Sequence, residues 1–289
     1  MKAKLILSGL CLFFSAWLSA QQTYLHCGKL ISCTDQTIRE AMTIIVEGDK
    51  IIEVRKGYAS APAGAKVIDL RNRTVMPGLM DMHVHIESES SRSSYMERTS
   101  LNEADRAFKA AQYANRTLMA GFTTVRDLGG TGVNVSLRNA INQGIATGPR
   151  IITCEKSIAT TGGHADPTNG LNRELMGDPG PDEGVVNGPD EARKAVRQRY
   201  KNGADCIKIT ATGGVLSVAK DGQGPQFVDE ELEAIIQTAK DYNMHTAAHA
   251  HGTEGMLRAV KAGITSIEHG TMMTPEVMEL MKQKGTYYV

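Results

Sequence analysis

His83 and His85 stand one residue apart in the run Pro77-Gly78-Leu79-Met80-Asp81-Met82-His83-Val84-His85. Read as a strand, the run puts Asp81, His83 and His85 on one face and Met80, Met82 and Val84 on the other. Two residues of strand rise only ~6.5–7 Å, so both imidazoles can converge on one metal at ~2.0–2.1 Å. Zinc is the default occupant, although imidazole also suits iron, nickel and copper. A lone His-x-His is more often a pair of ordinary histidines. Three later residues able to hold a metal change the weighing. Lys208 lies in Cys206-Ile207-Lys208-Ile209-Thr210, between isoleucines of opposite facing. A lysine aimed into an enclosed interior cannot keep its charge without a partner, because desolvation lowers its pKa. Its neutral amine can capture carbon dioxide as a carbamate, whose two oxygens could bridge two metals. The plainer alternative is an interior lysine held by a salt bridge. His249 lies in His245-Thr246-Ala247-Ala248-His249-Ala250-His251, and His269 closes Ser266-Ile267-Glu268-His269.

The elements that must position these groups follow a regular order. The helical stretch Asn102–Ala120 stops at Gly121 before a strand at Thr123–Asp127. Pro189–Asn202 stops at Gly203 before Cys206–Thr210, and Asp229–Tyr242 precedes His245–His251. Gly252–Ala262 stops at Gly263 before Thr265–His269, and Pro275–Lys284 stops at Gly285 before Thr286–Val289. Helix, glycine stop and β-rich strand repeat as parallel βα units do. Strand starts settle near twenty residues apart, with His249 and His269 one such unit apart (269 − 249). That cadence predicts a closed barrel rather than an open doubly wound sheet. Gly129-Gly130-Thr131-Gly132 lacks the Walker lysine and the spaced dinucleotide pattern, so it reads as a βα loop. Strands are expected near residues 80, 123, 150, 206, 245 and 265, with a seventh starting at Thr286. The expected class is α/β: an incomplete (β/α)8, TIM-like barrel over residues 77–289, holding strands one to six and the start of the seventh. Residues 21–76 predict short strands at Thr23–Ile31, Met42–Glu47, Lys50–Arg55 and Lys66–Leu70. They read as a small β-sandwich-type domain with a hairpin turn at Glu47-Gly48-Asp49-Lys50.

Residues 1–20 read as a secretory signal: Lys2 and Lys4, an apolar run from Leu5 to Leu18, then Ser19-Ala20 for cleavage. The expected location is therefore the periplasm or the outside of the cell, with no membrane insertion after cleavage. Thirty-two basic and thirty-two acidic residues cancel, so charge makes no case for nucleic acid or an anionic membrane. Four cysteines follow residue 20, and Cys27 with Cys33 is the only close pair that an exported chain could oxidise. Cys154 and Cys206 read as free buried thiols.

The pattern Pro-Gly-Leu-x-Asp-x-His-x-His over Pro77–His85 resembles the opening strand of the amidohydrolase superfamily, metal-dependent hydrolases built on a (β/α)8 barrel. Cys206–Val215, His249–Gly252 and Ser266–Gly270 are similar to its imidazolonepropionase-related branch. Within that branch they look most like the prolidase-like, Xaa-Pro or Xaa-Arg/Lys dipeptidase-type enzymes, and the resemblance runs from about Leu25 to Val289. It implies that His83 and His85 hold one divalent metal, that His249 and His269 hold a second, and that Lys208, carbamylated by carbon dioxide, bridges them. Zinc is the expected metal. The resemblance implies metal-assisted hydrolysis of an amide or peptide bond, with a water made nucleophilic near neutral pH. It also implies a proton-shuttling aspartate closing strand eight, which no residue up to Val289 matches. The chain as written is thus expected to be an inactive fragment of a longer enzyme. His164, in Thr161-Gly162-Gly163-His164-Ala165-Asp166, and His251 are candidates for substrate contact. The segment from His164 to Gly188 is long enough to cap the site. Asp127 is expected to hydrogen-bond loops rather than bind metal.

The expected substrate is a small peptide or amide, most of all an Xaa-Pro-type dipeptide. A broader N-acyl amino acid or aryl amide hydrolase and a cyclic-amide hydrolase are the alternatives within the enzymes. Outside them stands a degenerate metal-binding homologue, and a homo-oligomer is compatible with the sequence.

Overall fold

Residues 21–77 alternate apolar and polar side chains in short β-rich runs, and they fold as strands. The computed structural model describes residues 21–215, 217 and 221–289; the secretory signal expected over residues 1–20 lies outside them. Strands β1 (Gln22–Ile31), β2 (Ile38–Glu47), β3 (Lys50–Lys56) and β4 (Lys66–Val75) form one sheet in the order β3-β2-β1-β4. The β2–β3 hairpin turns where expected, with Glu47 opposite Lys50, and β4 runs five residues beyond its expected end at Leu70. Cys27, Leu30, Met42 and Ile44 form the small core of this sheet. The sequence reading called for a sandwich-type domain. Among the described residues of this stretch, 21–77, there is a single sheet instead, and Ile51, Ile52 and Val54 of β3 stay exposed. Parallel pairing of β1 with β4 shifts register between Cys27 and Lys29. A Cβ on Gly28 would lie 2.1 Å from the carbonyl oxygen of Arg71, so only glycine permits this approach.

Cys27 and Cys33 are not bonded: Cys27 is buried in the sheet core and Cys33 is exposed. The strand from Cys27 to Ile31 alone carries the chain ~13 Å along, whereas a disulfide needs Cα atoms about 5.5–6 Å apart. Proximity in sequence is separation in space here. Cys154 and Cys206 are free and buried, as expected.

The chain divides into two units after Pro77. In the second, all strand pairs are parallel: β5 (Leu79–Val84), β6 (Phe122–Asp127) and β7 (Arg150–Thr153) form one sheet. Strands β8 (Cys206–Thr210), β9 (His245–Ala250), β10 (Ser266–His269) and β11 (Tyr287–Tyr288) form another. A parallel bridge between Ile158 and Ile209 links the segment after β7 to β8. Each strand falls where a start was expected. The helices are α1 (Ser94–Ser100), α2 (Glu103–Met119), α3 (Val133–Asn142), α4 (Arg173–Met176), α5 (Pro189–Asn202), α6 (Asp229–Asp241), α7 (Thr253–Ala262) and α8 (Pro275–Lys284). Pro in the first turn starts α5 and α8, and left-handed Gly203, Gly263 and Gly285 stop α5, α7 and α8, as the stop signals required.

Ile207, Ile209, Ile235, Ile236, Val260 and Ile267 are fully buried between β8–β10 and the helices that cover them. Each such side chain contributes roughly 1.5–3 kcal/mol of burial free energy, and together they hold the strand ends that carry the histidines. No helix among the described residues is long and apolar enough to cross a membrane.

Candidate metal centre

Parallel strands of one sheet end on the same side, so residues that close them meet. His83 is the next-to-last residue of β5 and His85 lies just past its end; their ring centroids are 5.5 Å apart. The His83 ring lies 4.8 Å from that of His269, and His269 lies 4.7 Å from His249. His251 packs 4.7 Å from His249 and 5.0 Å from His269, and His164 stacks on His249 at 4.2 Å. All six histidines singled out in the sequence thus share one cluster. One nitrogen each of His249, His251 and His269 lie within 4.8 Å of one another. His251, read from sequence as a substrate residue, therefore lies within ligand distance of the same point as these two. His245 starts β9 on the opposite end and is exposed.

Strand alternation alone would point His269 away from its neighbour Glu268. His269 instead has φ 73, and Gly270 follows at φ 52. A non-glycine residue in this region costs about 1–3 kcal/mol, and the break brings the His269 ring back among the other imidazoles.

Lys208 is buried. Register pairs it with Ala247 and pairs Thr210 with His249, so Lys208 lies one inward-facing position, ~6.5 Å, below the His249 layer. An extended lysine side chain spans that distance, and Ala247 leaves room beside it. Burial lowers its ammonium to about 8. Among the described residues the buried carboxylate Glu268 pairs with His83 and Arg126, and none of the ion pairs includes Lys208. The salt-bridged alternative therefore finds no support. Thr210 Oγ1 is also buried and without a partner among the described residues.

Hydrogen bonds set the tautomers. His83 Nδ1 donates to Glu268 Oε2 at 3.1 Å, and His85 Nδ1 donates to the Gly129 carbonyl at 2.8 Å. Both leave Nε2 with its lone pair. His249 Nε2 faces the Gly213 carbonyl at 3.1 Å, which leaves Nδ1. His251 Nδ1 lies 2.8 Å from Thr271 Oγ1. Burial, first of all, lowers His249 to about 2 and His269 to about 4, and neighbouring imidazoles and Lys208 add to it. His85 is lowered by the same causes, although part of its ring stays open to solvent. These rings are neutral at pH 7, which a metal ligand must be. Imidazoles of which His83, His85, His249 and His251 each have one ring nitrogen engaged, together with His269 and a buried amine, form a donor set that fits a zinc-class ion.

Three groups around the cluster were not assigned from sequence. Glu268 is completely buried. Its Oε1 accepts from Arg126 Nη2 at 2.7 Å and Ser266 Oγ at 2.6 Å, while Oε2 holds His83. Arg126 also donates from Nε to the Met82 carbonyl at 2.7 Å and from Nη1 to Ser266 Oγ at 3.1 Å. Its signal was present: a charged residue within the strand Phe122–Asp127, on the same face as Thr124. Glu87 is the third. It accepts from the Thr131 amide at 2.9 and 3.0 Å and from the Asn134 amide at 2.6 Å, capping α3. Asp127, expected to bind loops, accepts from Ile86 N, Asn134 Nδ2 and Thr153 Oγ1, and burial raises its carboxyl to about 7. A cavity of about 390 Å³ lined by Thr131, Glu155, Lys156 and Asn202 has no histidine in its wall and lies apart from this chemistry.

The description "Amidohydrolase family" matches residues 74–289. Ochratoxinase of Aspergillus niger is 32% identical over 289 aligned positions, covering 93% of this chain and 58% of its own length. A crystal structure of a Xaa-Pro dipeptidase with methionine bound in its active site superposes with TM-score 0.88 at 52% identity, covering 93% of this chain and 66% of that one. A prolidase complexed with N-methylphosphonate-L-proline superposes with TM-score 0.82 at 30% identity, covering 93% and 65%. The chain therefore spans 58% of the length of the curated relative, and its β/α unit has the TIM-barrel type of fold that these neighbours share. Strands that carry the histidine cluster lie inside the matched span, and the chain belongs to the amidohydrolase family.

Proposed function

We propose that this chain is the larger part of a binuclear metal-dependent hydrolase that cleaves the amide bond of dipeptide-like substrates, with a small or cyclic C-terminal residue such as proline preferred. The observation that carries the reading is the convergence of His83, His85, His249 and His269, with centroids 4.7–5.5 Å apart along the series, above the buried Lys208. His83 and His85 would hold one divalent ion, His249 and His269 a second, and Lys208 as its carbamate would lie between them, with zinc the best match to imidazole donors. When bound, the ions supply Lewis-acid polarisation of the scissile carbonyl and an acidified water for attack.

The chain's own residues do the rest. The Lys208 ammonium gives one proton to solvent, the neutral amine then attacks the carbon of carbon dioxide as a C–O π bond opens onto oxygen, and the nitrogen releases a second proton to solvent, so a buried cation becomes an anion. Gly129 and Glu268 hold His85 and His83 with Nε2 free. Ser217 Oγ accepts from the Gly214 amide at 2.9 Å and lies 2.5 Å from His164 Nδ1. With the serine donating to that nitrogen, His164 keeps Nε2–H as a donor for a substrate carboxylate. His251 is the second imidazole assigned to the substrate. The methionine and proline-phosphonate ligands of the two solved relatives are amino-acid-shaped and support such a substrate. The second reading is a broader hydrolase of N-acyl amino acids or aryl amides, and a curated relative named ochratoxinase rather than dipeptidase supports a substrate range wider than Xaa-Pro.

Full-length protein purified with zinc and bicarbonate should bind two metal equivalents and cut Xaa-Pro dipeptides. One equivalent would refute the binuclear site. A kcat/KM for Xaa-Arg more than about tenfold above Xaa-Pro, ~1.4 kcal/mol at the transition state, would refute the proline preference. Cleavage of aryl amides alone would select the second reading. Residues 1–20 support export to the periplasm or beyond the cell, and N-terminal sequencing that begins near Gln21 is the expected result.

A further inference from the structure

We propose that Arg126 and Glu268 are positioning residues that clamp His83 at two points, its ring and its backbone; this rests on the reading of His83 as a metal ligand. The pair joins β6 to β10, strands in separate sheets, so it crosses the interior rather than following the ladder. Glu268 is 0% exposed and the Arg126 side chain 12%. Burying two charges is costly, and an ion pair seldom returns more than an apolar pair of the same shape. Stability alone therefore gives no reason for these residue types, whereas the geometry does.

Arg126 spreads its planar fork over three acceptors at once. Nε holds the carbonyl of Met82, the residue directly before His83; Nη1 reaches Ser266 Oγ; Nη2 reaches Glu268 Oε1. Glu268 then uses its other oxygen on His83 Nδ1. Oε1 is occupied by two donors, Arg126 and Ser266. Only an acceptor on both sides satisfies this arrangement, and in a singly protonated His83 ring that places the proton on Nδ1 and the lone pair on Nε2. A glutamine at 268 cannot do so. Its amide nitrogen would face either Arg126 and Ser266, a clash of donors, or His83, which would then have to carry its proton on Nε2 and could not ligate through it. Lysine at 126 keeps a charge but has no fork, so it cannot hold the Met82 carbonyl and Glu268 together.

The experiment uses the whole protein with 15N-labelled histidine, first stripped of metal with chelator and then titrated with zinc against a chromophoric chelator. In the metal-free wild type, His83 should show the Nδ1–H tautomer. Glu268→Gln should move His83 toward Nε2–H and weaken one zinc equivalent by about 10–100-fold. Arg126→Lys should weaken the same equivalent while leaving the His83 tautomer as it was, because the Glu268 carboxylate remains. A Glu268→Gln protein with unchanged tautomer and unchanged zinc affinity overturns the proposal. If that variant does not fold, Arg126→Lys decides, and wild-type zinc affinity in it overturns the clamp. Failure of the wild type to bind zinc would sink the metal-site reading instead, and the tautomer in metal-free protein would still show whether Glu268 sets His83.

Discussion

Replacing Lys208 by Met, in protein stripped of metal and kept in bicarbonate-free buffer, should make the chain more stable at neutral pH. Burial lowers the Lys208 ammonium from 10.5 to about 8. The gap of about 2.5 units (10.5 − 8), at ~1.4 kcal/mol per unit, sets a ceiling of about 3 kcal/mol on what its charge costs the folded state. The sign is fixed by proton counts. Below pH 8 the lysine is protonated both folded and unfolded, and the full penalty applies. Between 8 and 10.5 the unfolded chain binds the extra proton, so wild-type stability rises with pH from this group. Met fills a similar volume without charge and has no such rise. Urea denaturation followed by far-UV circular dichroism at pH 7 and pH 10 reads the difference, and other titrating groups cancel between the two proteins. The Met variant should lead by up to ~3 kcal/mol at pH 7 and lose most of that lead at pH 10. A Met variant that is less stable at pH 7, by an amount independent of pH, would mean that Lys208 has a favourable partner in the fold. The carbamate reading would then lose its premise.

Gly28→Ala should destabilise the N-terminal sheet by roughly 1–3 kcal/mol, because the new Cβ meets the Arg71 carbonyl, which is backbone and cannot swing away; an unchanged thermal midpoint would contradict the close approach. Among Cys27, Cys33, Cys154 and Cys206, only the exposed Cys33 should react quickly with a thiol reagent in native protein, and all four should react after denaturation without reductant. Two thiols missing from the denatured count would restore the disulfide that the extended β1 argues against.

Glycine stops and the two hydrophobic periods locate the strands and five of the helices of the β/α unit from sequence alone, because both signals are local. The stretch over Val133–Asn142 escaped them. Its helix begins at Gly132 with no capping side chain of its own, and the carboxylate that caps it belongs to Glu87 at the end of the first strand of this unit. A cap brought from 47 residues away leaves no mark in the neighbouring sequence. The same division runs through the site. His83, His85, Lys208, His249 and His269 could be picked out because each closes or lines a strand, and parallel strands must end together. His251 was placed near them on the same ground, and His164 through the long segment to Gly188 that could cap the site. That Glu268 and His269, adjacent in the chain, both serve one cluster could not be read from alternation, which sends neighbours to opposite faces; the left-handed φ of His269 reverses that. Nor could the grip of Arg126 on Met82 and Glu268, since it joins strands 140 residues apart. Sequence period determines which way a side chain leaves its own strand. Which partner waits there is decided only when separate strands close on a common interior, where a buried charge must find a counter-charge or a hydrogen bond because water is excluded.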